Sequence, residues 1–252
     1  MEGFSLFKRH INEIHKAASI LIEKQQKTMP HWPELFMTDQ GDERFKLEFH
    51  QPAIIWNAPL RGSSTSSTKR AIVMGGYFCI KDDIFISGSA FLEVYEIVRP
   101  EAKCQLSLLE AMHFDIEPNA LHQSPFHPMF HVQFGTNNHW DVNTLKNRVA
   151  EIMRIEVDQI EIDRSKVMPT RDVRIPTPQM DYLSMLVMVV ADYFCDKKAG
   201  HEVKKSFKNL IHKVMNSKNI ARTGKQSREL EGRWTEPDKP FSAGHWYQES
   251  CK

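Results

Sequence analysis

The sequence predicts an α+β protein: an antiparallel sheet of about four strands packed with an N-terminal helix and C-terminal helices. Three observations lead there. Phe4, Phe7, Ile11, Ile14, Ala18 and Leu21 recur at three-four spacing, which puts them on one stripe of a helix. Residues 71–135 follow a period of two between turns too short for crossover helices, so neighbouring strands run antiparallel. Residues 141–216 return to helical spacing. The chain has 252 residues and is 41% hydrophobic, enough to bury a core and to exclude disorder throughout. It reads as one compact unit: a helix over 1–30, a sheet region over 31–140, a helical region over 141–233 and an aromatic-containing tail over 234–252.

The first helix carries Lys8, Arg9, Lys16 and Glu23 opposite its stripe and ends at Met29-Pro30-His31-Trp32-Pro33, since proline disfavours a helix interior and restricts its predecessor. Its stripe covers about two and a half heptads, short of a convincing coiled coil, and is expected to dock on the protein's own core. Residues 61–70 contain no apolar side chain and form a loop; neither they nor 223–227 match the Gly-x4-Gly-Lys-Ser/Thr phosphate loop. Strands are expected at 71–81, 84–98, 103–117 and 130–135. In the third, Leu106, Leu108, Met112, Phe114 and Ile116 should share one face, with Glu110 as the exception, and Ser107, Ala111, His113, Asp115 and Glu117 the other. In the fourth, Phe130, Val132 and Phe134 oppose His131 and Gln133.

Asp141 should cap a helix running to about Met153, because its carboxylate accepts from free first-turn amides. A short strand follows at 157–162. Residues 179–195 are apolar nearly all round, as in a buried central helix. Its expected partner spans 202–216, with Val203, Phe207, Leu210, Ile211 and Val214 inward and Lys204, Lys205, Lys208 and Lys213 outward.

A formal charge of +1 excludes a global field that would select nucleic acid or membrane. Residues 197–233 nevertheless hold 11 Lys and Arg against three Glu. Arg174, Lys204, Lys205, Lys208, Lys213, Lys218, Arg222 and Lys225 are candidate contacts to the phosphates of double-stranded DNA; the competing reading is a solvated helix face. No aromatic residue lies in 208–233, which argues against single-strand stacking. Phe4, Phe7, Ile11, Ile14, Trp234, Trp246 and Tyr247 are the candidate contacts to protein partners. Cys79, Cys104, Cys195 and Cys251 lack CxxC spacing, and no cationic segment followed by an apolar one opens the chain, so a reducing, cytoplasmic setting is expected. The longest apolar run, 183–191, is far short of the ~20 residues of a membrane span.

Five of the 12 histidines lie between 113 and 139. By strand parity His113, Asp115 and Glu117 share one face and His131 and Gln133 share another; aligned, they would converge, with His122 and His127 nearby. His113, Asp115, His127 and His131 are the candidate catalytic set. Three readings stay open. His113, Asp115 and His131 could hold a divalent metal, although no cofactor is expected. A histidine pair could cleave RNA without metal by general acid and base. The imidazoles could instead hold a long loop against the sheet through hydrogen bonds.

The segments His113-Phe114-Asp115-Ile116-Glu117, His127-Pro128-Met129-Phe130-His131-Val132-Gln133-Phe134-Gly135 and Arg174-Ile175-Pro176-Thr177-Pro178 resemble a family of uncharacterised bacterial proteins with a Phe-Asp, His-Pro-x2-His, Arg-Ile-Pro pattern. The likeness spans about 106–190. It implies a setting among mobile-element, toxin or phage-defence genes and assigns no catalytic residue. The expectation is a non-catalytic accessory subunit of a bacterial defence complex acting on foreign DNA, beside a nuclease and an ATPase. The alternatives are a histidine-dependent nuclease-type toxin and a duplex-binding protein.

Overall fold

The structure, a computed structural model, describes residues 2–26, 30–59, 69–81, 84–98, 103–116, 128, 130–135, 140–165, 173–177, 180–195 and 200–214. Helix α1 (Glu2–Gln26) is followed by strands β1 (Pro30–His31), β2 (Leu35–Gly41), β3 (Arg44–Phe49), β4 (Ala53–Ala58), β5 (Lys69–Lys81), β6 (Ile84–Val98), β7 (Cys104–Ile116) and β8 (Phe130–Phe134). Then come α2 (Val142–Met153), a 3-10 turn at Val157–Gln159, β9 (Ile160–Asp163), β10 (Ile175–Pro176), α3 (Tyr182–Phe194) and α4 (His201–Val214).

Among the described residues the sheet has ten strands, not about four. The central path β4-β5-β6-β7-β8-β10 is antiparallel throughout, and β9 joins in parallel, beside β7. The strands over 30–58 escape a periodicity reading because each is short and interrupted. Pro52 separates β3 from β4, which lie along successive halves of β5. Asn57 sits at φ +59 where the β4–β5 register shifts, a left-handed conformation that asparagine tolerates.

Two cores form on opposite faces of the sheet. On one, α1, α3 and α4 cover Ile55, Ile72, Met74, Leu92, Phe114 and Val132. On the other, α2 covers Val73, Tyr95, Leu106, Leu108 and Ala111. The third strand therefore corrects the sequence expectation. A bulge opposite Val94 and Tyr95, which pair with Glu110 and Leu108, inserts Leu109 and reverses the alternation. Leu106 and Leu108 consequently face α2, while Met112, Phe114 and Ile116 face α1 and α3. The same bulge explains Glu110, which is exposed rather than trapped in an apolar face.

Helix α1 docks on its own protein. Phe7, Ile11 and Ile14 are buried and Phe4 packs against the same core, so this stripe is not a partner surface. Its His15 stacks on Trp32 with 4.4 Å between ring centres and is hydrogen-bonded through Nε2 to the Tyr182 hydroxyl at 3.0 Å. That contact ties α1 to the first turn of α3, whose amides are capped by Asp181. Asp141 caps α2 as expected, accepting from the Thr144 amide at 2.9 Å. No helix among the described residues is long and apolar enough to cross a membrane.

Candidate functional site

Strands β7 and β8 pair antiparallel with His113 opposite Gln133 and Asp115 opposite His131. Side chains on one face recur every second residue, so these four groups stand together on the α2 side of the sheet. Ser89 and Phe91 of β6 complete the floor, opposite Asp115 and His113. The convergence expected from strand parity is therefore present for His113, Asp115, His131 and Gln133.

Asp115 is the hub. Its Oδ2 lies 3.1 Å from His113 Nε2 and 3.4 Å from His131 Nε2, and its carboxylate also accepts from the Ser89 hydroxyl. His113 Nε2 additionally lies 3.0 Å from Gln133 Oε1. Burial alone would raise the Asp115 pKa, but the bonds from His113, His131 and Ser89 and the His113 charge together hold it well below the ordinary carboxylate range. For His113 burial acts downward and Arg174 adds to it, yet the Asp115 hydrogen bond and charge, with Gln133, win and raise its pKa. The result is a buried histidine–carboxylate cluster: His113 is 6% exposed and His131 2%.

A general base must come within about 3 Å of the proton it removes. Here both Nε2 atoms point at Asp115, and His113 Nδ1 is buried without a hydrogen-bond partner among the described residues. Such an arrangement suits a network that locks β6, β7 and β8 in register. Both Nε2 atoms meet the carboxylate itself instead of a point beside it, and among the described residues no group of three or more His, Cys, Asp or Glu could hold a metal ion.

Of the other residues singled out from sequence, Arg174 is exposed just ahead of β10, close enough to oppose His113 protonation. Lys204, Lys205 and Lys208 are exposed on α4, whereas Lys213 lies 3.6 Å from Glu13 Oε2 of α1. The phosphate candidates on α4 are thus set apart from the histidine site by element and by face. His127, Lys218, Arg222, Lys225, Trp234, Trp246 and Tyr247 lie outside the described residues.

No protein-family model, curated protein or solved structure matches the chain.

A second polar cluster, which periodicity did not reveal, occupies the same face. Arg164, just after β9, places Nη2 3.0 Å from Glu93 Oε2, Nε 3.0 Å from the Tyr95 hydroxyl and Nη1 2.9 Å from the Trp140 carbonyl. The Tyr95 hydroxyl donates to Glu93 Oε2 at 2.7 Å. Burial raises the Glu93 pKa against the pull of Arg164 and Tyr95. Glu93 and Tyr95 do share one sheet face by parity; the signal that could have drawn attention was an acid amid apolar strand residues, but nothing local names a partner 71 residues away.

Proposed function

We propose that this chain is a non-catalytic subunit that joins a larger protein assembly, in line with the expected accessory role in bacterial defence against foreign DNA beside a nuclease and an ATPase. The observation that carries the reading is the closure of the His113–Asp115–His131 network: its imidazoles are buried and directed at their own carboxylate, which suits register locking better than turnover. An exposed apolar edge supports it. Phe134 at the end of β8 is 44% exposed, Ile175 of β10 45% and Val173 67%. Ile175 pairs with Val132, two residues from Phe134, so these side chains gather at the outer margin of the sheet. Pro176 lacks an N–H and discourages pairing with a further strand there, which leaves side-chain burial as the mode of contact.

The test is co-purification of the tagged full chain with the products of its neighbouring genes. Phe134→Asp with Ile175→Asp should release the partner without lowering Tm, and His113→Ala should leave any residual activity of the complex unchanged at temperatures where the variant stays folded. A chain that cleaves nucleic acid alone, losing that activity in His113→Ala while keeping its Tm, overturns the reading and establishes the nuclease alternative.

A further inference from the structure

Helix α4 carries a row of unpaired lysines on the sheet face opposite the histidine site. At about 100° per residue, Lys204, Lys208, His201, His212 and Lys205 fall within an arc of about 100°. All five are exposed, and Lys204, Lys205 and Lys208 make no ion pair among the described residues. The one acid of the helix, Glu202, lies about 60° beyond Lys205. Glu13 of the neighbouring α1 already meets Lys213, at 3.6 Å. Lys204 and Lys208 stand four residues apart, so their like charges repel on the helix surface and weaken α4 by itself.

We propose that this face of α4 binds the phosphate backbone of a nucleic-acid duplex, without sequence preference. The surface goes beyond the subunit reading above and does not depend on which protein the margin of β8 and β10 seats. Lysine ammoniums are point charges on long stems, and they gain by releasing the counterions condensed on phosphates. A duplex carries a charge every ~1.7 Å along its axis, so lysines spread over about 6 Å of helix each find a phosphate in any register. Those phosphates also relieve the repulsion between Lys204 and Lys208. Val203, Phe207, Leu210 and Val214 pack against the core, which leaves the arc with no apolar side chain to enter a lipid layer. Nor does the arc hold an aromatic ring on which unpaired bases would stack. The sequence supplies more of the same charge directly after the helix: residues 215–233 hold five Lys and Arg against two Glu.

The experiment titrates a fluorescent duplex of about 20 base pairs with the full chain over a salt series and reads its anisotropy. Affinity should fall steeply as salt rises and should not differ between unrelated duplex sequences. Lys204→Gln, Lys205→Gln and Lys208→Gln together should weaken binding at least about tenfold at low salt and reduce the log–log salt slope by about 3. Tm should stay unchanged in that variant, since the three side chains are exposed and unpaired. Lys103→Gln, Lys146→Gln and Arg154→Gln remove the same charge on α2 and just ahead of β7, and should change binding less than about twofold. Unchanged duplex affinity in the α4 variant, or an equal loss in the α2 variant, would refute the proposal. So would tighter binding of a single strand of the same length, or displacement of the duplex by polyglutamate or by phosphatidylserine vesicles at matched charge.

Discussion

Asp115 and His131 face each other directly across β7 and β8, and the Asp115 Oδ2 that lies 3.4 Å from His131 Nε2 is the same oxygen that lies 3.1 Å from His113 Nε2. One carboxylate thus partners two imidazoles on adjacent strands. Removing it leaves both without their shared acceptor in a buried site, so Asp115→Ala should cost about 2–4 kcal/mol, more than either His113→Ala or His131→Ala. Urea denaturation of the three variants checks this order. A histidine variant costing more than Asp115→Ala would show that the imidazoles matter for something other than this hub.

The same pair predicts a window of pH. The folded protein holds the His113 imidazolium more tightly than the unfolded chain does, so this contribution is complete below pH ~6.5 and fades as pH rises through the raised folded value. Asp115 has the opposite sign: its contribution is complete above pH ~3.9 and is lost as pH falls toward its depressed folded value. The stability difference between the parent and Asp115→Asn should therefore be largest between about pH 4 and 6.5. Urea midpoints at a series of pH values measure it, and a difference that is flat across the series would contradict the pairing.

His15 acts differently. Burial against Trp32, Phe49 and Tyr182 lowers its pKa to about 3, so the unfolded chain takes up a proton below pH ~6.5 that the folded chain refuses. Stability should fall on acidification from pH ~6.5 at up to about 1.4 kcal/mol per unit from this residue. His15→Gln keeps a polar partner near the Tyr182 hydroxyl and should flatten that slope. An unchanged slope in the variant would place the acid sensitivity elsewhere.

Arg164 is the counter-charge of a buried Glu93, so Arg164→Met should cost about 3–5 kcal/mol by stranding the carboxylate. Glu93→Gln combined with Arg164→Met removes both charges and should recover a substantial part of that loss. Chemical denaturation of the single and double variants gives the coupling; simple additivity would mean that the two groups do not act as a pair.

Gly76 illustrates a close approach. A Cβ there would lie 2.7 Å from the Ser89 carbonyl oxygen and 3.3 Å from Tyr182 Cβ, so Gly76→Ala must move backbone and should destabilise by more than about 2 kcal/mol. Gly200, with nothing within 4 Å of its Cβ position, is the control, and Gly200→Ala should shift stability by less than about 0.5 kcal/mol. Thermal melts of the two variants distinguish a packing effect from a general intolerance of substitution.

Local period and local caps carry one part of this architecture. The α1 stripe, strands β5 to β8, the Asp141 cap and the apolar α3 all followed from spacing, because a helix or strand that buries one face repeats its apolar residues at its own period. Parity also placed His113 and Asp115 on one face of β7 and His131 and Gln133 on one face of β8. The remainder comes from contacts between distant parts of the chain. Whether those two faces coincide depends on the β7–β8 register, which no local signal sets, and the Leu109 bulge sent Leu106 and Leu108 to a different core from Met112 and Phe114 although their numbers share one parity. Strands β3 and β4 exist because β5 offers its free edge to short segments that would not be stable alone, and β2 and β1 add to them in turn. Arg164 reached Glu93 because β9 pairs with the first half of β7, a contact between distant parts of the chain whose energy appears only once both are held in the same sheet.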